Sequence, residues 1–171
     1  LRLLIKDSSN LYGRKLKNVV NGMTKDKRFK YLDFSKLNDV ITISKNLDIE
    51  KMNRIYNASD AYISPYNAEG FNLPPLEAAA CGVPIVVSLG GSTDDYFSEK
   101  LGLQIKSKRV FNNDDGTIRI IPQFDSLIFC IETLINSTNF GGKVGSRYVH
   151  KLFNWQKITN LLIENLSSTK N

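Results

Sequence analysis

Two carboxylates, Glu69 and Glu77, stand with seven residues between them in Pro65-Tyr66-Asn67-Ala68-Glu69-Gly70-Phe71-Asn72-Leu73-Pro74-Pro75-Leu76-Glu77. An ionised carboxylate accepts from two adjacent hydroxyls at once, so such acids are suited to reading sugars: Glu77 the hydroxyls of a ribose, Glu69 those of a hexose. Between them, Gly70 permits close backbone approach or a positive φ and Asn72 tolerates left-handed backbone. Pro74 sets the first turn of a helix, and Glu77 is placed in that turn. The N–H groups of Gly70, Phe71, Asn72 and Leu73 then point outward unpaired, free to hold sugar hydroxyls or diphosphate oxygens, while Pro74 and Pro75 offer none. Glu77 alone reads more readily as an ordinary acid favoured by the helix dipole, and its pairing with Glu69 in this setting turns the reading. Paired carboxylates also serve glycoside hydrolases, but sequence spacing sets no carboxylate separation, and the helix-start setting favours nucleotide binding.

Neither acid can hold a diphosphate. Residues 61–99 carry five acids and no Lys or Arg, whereas 1–60 carry thirteen bases against seven acids and 100–171 ten against five. Clustered negative charge repels a phosphate, so the cation that holds one must come from outside this acidic island. The excess behind the net charge of +6 is not interleaved with aromatics and glycines as a nucleic-acid surface would be. It reads as solvated faces, or as weak attraction to acidic lipid headgroups. Gly90-Gly91-Ser92-Thr93 could cradle a phosphate before a helix but lacks the lysine of a P-loop, so it reads as a wall of the site or a plain N-cap. The lone His150 has no Cys, Asp or Glu at ligand spacing, so a surface or packing role is expected and no metal is implied. Trp155 and the tyrosines read as packing residues.

The elements that must position these groups follow from hydrophobic period. Leu1 to Lys6 is a strand-length apolar run, followed by a turn at Asp7-Ser8-Ser9-Asn10 and a basic stretch with helical spacing through Val19 and Val20. Val40 to Ile43 reads as a second strand. Ile49, Met52, Asn53 and Tyr56 share one helical face, and Ala61 to Ser64 is a third strand. Leu76 to Cys81 continues the Pro74 helix, Gly82 stops it, and Pro84 to Ser88 is a buried strand. Strands alternating with helices, without hairpin signals, predict an α/β fold with a doubly wound parallel sheet, which binds ligands at the carboxyl ends of its strands. Residues 107–121 break the rhythm with a hairpin around an Asp-Gly turn, an insertion on one rim. From Phe124 to Leu166 the pattern is helical again, with Ile128, Ile131, Leu134 and Ile135 in one stretch and Ile158, Leu161, Leu162 and Leu166 in another.

The length suits one domain, taken as residues 1–166 with a flexible tail at 167–171. Cys81 and Cys130 lie in apolar helical runs and read as free, buried thiols, which points to a reducing cytoplasmic setting. No apolar run is long enough to span a bilayer.

With Glu69 and Glu77 set in Gly-Phe-Asn-Leu-Pro-Pro-Leu, the surrounding motifs resemble glycosyltransferase family 4, retaining GT-B enzymes whose hallmark is this E-x7-E pattern. The resemblance runs from Val40 to about Phe97 through Ala58-Ser59-Asp60-Ala61-Tyr62-Ile63-Ser64-Pro65, Leu76-Glu77-Ala78, Cys81-Gly82-Val83-Pro84 and Gly90-Gly91-Ser92-Thr93-Asp94. Phe153-Asn154-Trp155 is similar to the family's closing aromatic-Ser-Trp element. Two positions depart: Asn72 stands where the family often has Gly, and Asp94 where a Glu usually follows Gly-Gly.

The resemblance implies a Rossmann-like, C-terminal half of a GT-B fold that binds a UDP- or GDP-sugar without metal or other cofactor and transfers a hexose to a glycan or lipid acceptor. Glu69 would lie against the hexose, Gly70, Phe71, Asn72 and Leu73 would offer amides to sugar and diphosphate, and Glu77 would bind ribose. Ser44, Lys45 and Asn46 match the loop beside the base. The family's phosphate-gripping Arg and Lys and its acceptor domain are expected upstream of Leu1, so this piece alone is expected to be inactive. A noncatalytic nucleotide-sugar-binding module is the alternative.

Overall fold

A computed structural model describes residues 2–6, 16–27, 30–31, 33, 35, 40–112, 116–137 and 139–168. The chain divides into two compact units, 1–49 and 50–171. In the first, strand β1 (Leu4–Lys6) pairs in parallel with β2 (Ile41–Ile43), and helix α1 (Leu16–Lys25) lies between them in sequence. The turn expected at residues 7–10 lies outside the described residues. So do the tip of the later hairpin, 113–115, and the last three residues, 169–171.

The second unit carries the core. Helix α2 (Ile49–Asn57) leads into β3 (Tyr62–Ser64), α3 (Leu73–Ala80) and β4 (Ile85–Ser88), and then β5 (Gly102–Ile105). The three strands form one parallel sheet in the order β3-β4-β5. As the middle strand, β4 is buried along its whole length. Its alternate side chains feed two layers: Ile85 and Val87 pack with Tyr56, Leu76, Ala79, Leu101 and Val149, while Val86 packs with Ile105 and Cys130. That two-sided burial is why Ile-Val-Val reads as a continuous apolar run rather than an alternating one, and each of these side chains contributes about 1.5–3 kcal/mol.

Helix α4 (Phe124–Ile135) supplies the second layer through Leu127, Cys130 and Leu134, and α5 (Gly142–Leu152) backs the first. The Ser146 hydroxyl of α5 donates to the Ala80 carbonyl at the end of α3 (2.7 Å), satisfying one of the acceptors a helix leaves open. The hairpin read from the sequence is present as β6 (Ser107–Asn112) and β7 (Thr117–Pro122), antiparallel, with Asn112 opposite Thr117. Helix α6 (Trp155–Ser168) ends the described chain. No helix among the described residues is long and apolar enough to cross a membrane.

Several expectations change. Strand β5 was not foreseen, because a glycine opens it and Gln104 interrupts its apolar run. Its place is set by close approach to β4 instead. The helical run from Phe124 to Leu166 resolves into three helices. The last of these continues through Ser168, so Ser167 and Ser168 are helical rather than tail. No residue of α6 is buried, and Trp155, read as packing, is 85% exposed. Periodicity identifies the helix but not what covers its apolar side. Cys81 is half-buried at the end of α3, its thiol donating to the Asn53 side chain (3.2 Å), whereas Cys130 is buried as expected. Both thiols are free and pushed up from their ordinary range, chiefly by burial. His150 is exposed on α5.

Candidate functional site

The loop between β3 and α3 leaves the carboxyl end of the sheet, the edge where open α/β sheets take ligands. Its key residue is Asn72. It adopts left-handed backbone (φ 58°, ψ 65°) as the N-cap of α3. Asparagine is the residue that best substitutes for glycine there, which accounts for Asn where the resembled family often has Gly. Asn72 is buried, with its side-chain amide donating to Ser64 Oγ (3.1 Å) and its carbonyl accepting from the Tyr96 hydroxyl (2.8 Å). Of the two residues read as able to take positive φ, Asn72 does and Gly70 does not. Gly70 faces open space: a Cβ there would meet nothing within 4 Å.

Phe71 packs its ring on Tyr96 (centroids 5.3 Å apart), and Tyr96 in turn meets Phe153 edge-on at 6.3 Å. The loop is thereby pinned from below by one tyrosine through both its hydroxyl and its ring. Among the described residues, no acceptor engages the N–H groups of Gly70, Phe71, Asn72 or Leu73. Pro74 and Pro75 occupy helix positions whose N–H groups would be unpaired in any case, so they stiffen the first turn without cost.

Glu77 does not lie in the first turn. Helix α3 starts at Leu73, its first turn holds no acid, and Glu77 is its fifth residue. What positions the carboxylate is a partner the sequence did not reveal: the Tyr56 hydroxyl, from α2, donates to Glu77 Oε2 at 2.9 Å. Oε1 takes no partner among the described residues. Glu69 is exposed in the loop. The two acids act on common ground, because Tyr62, on β3, is held above its ordinary pKa first by burial, then by the charge of Glu77 and then of Glu69. Tyr56 and Tyr96 are also shifted upward, mainly by burial, with Glu77 adding to Tyr56 through its hydrogen bond and charge.

Tyr56, Tyr66 and Tyr96 are thus packing residues, as read, but their hydroxyls do the positioning. Tyr66 Oη meets Thr93 Oγ1 at 2.8 Å and accepts from the Thr93 N–H at 3.0 Å, tying the Gly90-Gly91 loop to the loop that carries Glu69. Asp94, at the position where the resembled family usually has Glu, holds the Gly90 N–H (2.9 Å) and the Gln104 side chain (2.7 Å). No signal in a single sequence pairs a tyrosine with an acid twenty-one residues on. Ser44, Lys45 and Asn46 follow β2 in the first unit and are exposed.

The buried phenols make alkaline stability a measure of this scaffold. Tyr56, Tyr62 and Tyr96 each keep the proton in the fold to higher pH than in the unfolded chain, so their contribution is complete below about pH 10 and drains away above it, by about 1.4 kcal/mol per pH unit for each phenol still protonated. The urea midpoint is expected to fall steeply above about pH 10, and less steeply in Tyr56→Phe. Equal slopes in the two proteins would show that the Tyr56 phenol is not held as described.

Residues 1–115, two thirds of the chain, match the family described as glycosyl transferases group 1. The chain belongs to this glycosyltransferase family. Among curated relatives, this group 1 glycosyltransferase is 32% identical over 95 residues to the uncharacterized glycosyltransferase 335 of Sulfolobus islandicus rod-shaped virus 1, covering 54% of this chain and 27% of that protein. It is 43% identical over 53 residues to the lipopolysaccharide core biosynthesis mannosyltransferase LpsB of Rhizobium meliloti (strain 1021), covering 29% of this chain and 15% of the relative. The matches therefore span well under a third of those proteins' lengths. Among solved structures, sucrose-phosphate synthase from Thermosynechococcus elongatus superposes with a TM-score of 0.68 at 22% identity, over 99% of this chain and 39% of that one. That likeness establishes the fold: the parallel α/β, Rossmann-like half of a GT-B glycosyltransferase.

Proposed function

We propose that this glycosyltransferase chain is the donor-binding part of a retaining hexosyltransferase, which moves a hexose from a UDP- or GDP-linked donor to a glycan or lipid acceptor. The observation that carries the reading is the Tyr56–Glu77 pair. One carboxylate oxygen is anchored by a phenol and the other is left for a ribose. Beside it stands a run of unengaged N–H groups, Gly70 to Leu73, over open space at Gly70. Unpaired donors at a helix start suit phosphate and sugar oxygens.

In this reading the Gly70–Leu73 amides take the diphosphate and hexose oxygens. Glu69 orients the hexose while the departing phosphate assists the acceptor's attack on the same face. The phosphate charge is met by cations of the protein, without a bound metal. A further N-terminal domain supplies acceptor binding, and its addition restores turnover, because both walls are needed to align the reactants and exclude water. The mannosyl transfer named for the rhizobial relative favours a hexose donor and a glycan acceptor. The protein is assigned to the cytoplasm, with its basic faces drawn weakly to a membrane surface.

The test is calorimetric titration of the chain with UDP, GDP and their glucose and mannose conjugates, with and without a chelator. One base is expected to bind in the high micromolar range or weaker, indifferent to the chelator, with the matching hexose conjugate tighter than the bare nucleotide. Silence toward every nucleotide at millimolar concentration would remove the donor reading for this chain.

A further inference from the structure

The β6–β7 hairpin, absent from the βα rhythm of the rest of the chain, is fastened to the site. The Ile120 N–H donates to the Asn67 carbonyl (2.9 Å), two residues before Glu69. Ile120 is buried, and its Cδ1 sits over Gly91, where an added Cβ would come within 2.8 Å of it and within 2.6 Å of Tyr66 Oη. Only glycine fits that gap. Arg109 stands opposite Ile120 in the ladder and so projects from the same face of the hairpin. Its guanidinium lies over Gly90, with Nη2 donating to the Gly90 carbonyl at 3.3 Å. It has no other hydrogen bond and no ion pair among the described residues.

The loop beneath it is equally unspent. The N–H of Gly90 is taken by Asp94, that of Thr93 by Tyr66 and that of Asp94 by the Gly91 carbonyl. No acceptor among the described residues meets the N–H of Gly91 or Ser92. Ser92 Oγ is the side-chain oxygen that is buried there without a partner. A buried hydroxyl left unsatisfied costs about 1–3 kcal/mol, which a ligand oxygen would relieve. Both oxygens of Asp94, the acid of this turn, are already engaged by donors.

We propose that Arg109 and the Gly90-Gly91-Ser92 loop form a phosphate seat, built by the hairpin beside the Glu69 loop. A guanidinium fork together with two N–H donors and a hydroxyl matches the several acceptor oxygens of a tetrahedral anion. The seat also meets the charge requirement of the acidic island: residues 61–99 contain no base, and Arg109 enters from outside them. The phosphate comes either from the donor's diphosphate, in which case the inference rests on the proposed function, or from a phosphorylated second substrate.

The probe is inorganic pyrophosphate, titrated into the whole chain while the Gly91 and Ser92 amides and the Arg109 Nε–H are followed by NMR. Saturable shifts are expected, weakened about tenfold in Arg109→Gln, the scale of one charge-assisted bond. Lys108→Gln loses the same charge from the opposite face of the same strand and should change the affinity less than about twofold. Absent shifts, or equal losses in the two variants, would overturn the seat. Displacement of pyrophosphate by UDP or GDP assigns it to the donor, and simultaneous occupancy assigns it to the second substrate. Glu77→Ala separates the two readings, since it should spare pyrophosphate binding. Pyrophosphate shifts without any nucleotide binding would reject the donor reading and leave the seat standing.

Discussion

Glu77→Ala is expected to weaken binding of the cognate nucleotide by about a hundredfold. A carboxylate accepting from two ribose hydroxyls makes two charge-assisted hydrogen bonds of about 1.5–3 kcal/mol each, and losing about 3 kcal/mol corresponds to that factor. The alanine also strips the Tyr56 hydroxyl of its acceptor, so a modest loss of stability accompanies it. Glu77→Gln separates the effects: its amide oxygen still accepts from Tyr56, the fold keeps its melting temperature, and affinity still drops through loss of the charge. Tyr56→Phe is the complementary variant. It leaves the carboxylate in place but untethered, and about a fivefold loss is expected, mostly the entropy of ordering a freed side chain on binding. Titration calorimetry on the three variants decides the matter, and Glu77→Gln binding within threefold of the parent would remove Glu77 from the site.

Gly102→Ala is expected to cost more than about 3 kcal/mol of stability and to open the β4–β5 edge of the sheet. A Cβ at Gly102 would lie 1.8 Å from the Ile85 carbonyl oxygen and 2.7 Å from the Ile85 nitrogen, both backbone atoms of the central strand. Ile85 and Gly102 are register partners, so neither strand can yield without parting hydrogen bonds that hold the core. Overpacking against a flexible side chain costs about 1–3 kcal/mol, and a clash with buried backbone exceeds that range. Urea unfolding of the variant measures the loss. Gly70→Ala is the matched control, since the new methyl meets nothing and its unfolding free energy should change by less than about 0.5 kcal/mol. If the two variants unfolded alike, the described approach of β5 to β4 would be wrong.

The site loop was legible in the sequence because its constraints are local. A run of Gly, Asn and two prolines ahead of an alanine-rich stretch dictates a shaped turn into a helix whatever surrounds it. Two acids with seven residues between them must then bracket that turn. Both Gly70 and Asn72 could take left-handed backbone by type, and only the packing of Asn72 under Tyr96 chooses between them. The helix boundary slipped for a related reason: prolines mark a first turn without stating which residue begins it, and Glu77 moved to the second turn.

Strand β5 was illegible because its identity lies in a contact, the missing Cβ of Gly102 against Ile85, rather than in a run of β-branched residues. The apolar side of α6 shows the opposite failing, a clear helical period in which no residue is buried.

By itself the sequence determined the βα alternation, the buried central strand, the hairpin and the pair of acids. Each of these is written in periodicity or local turn chemistry over fewer than about fifteen residues. Tertiary structure alone decided that Tyr56 holds Glu77, that Tyr66 and Tyr96 clamp the two loops, and that Arg109 lies over Gly90. Those partners are 19 to 27 residues apart in sequence. A hydrogen bond across such a span depends on which strand ends meet at the edge of the sheet, and no local pattern records that.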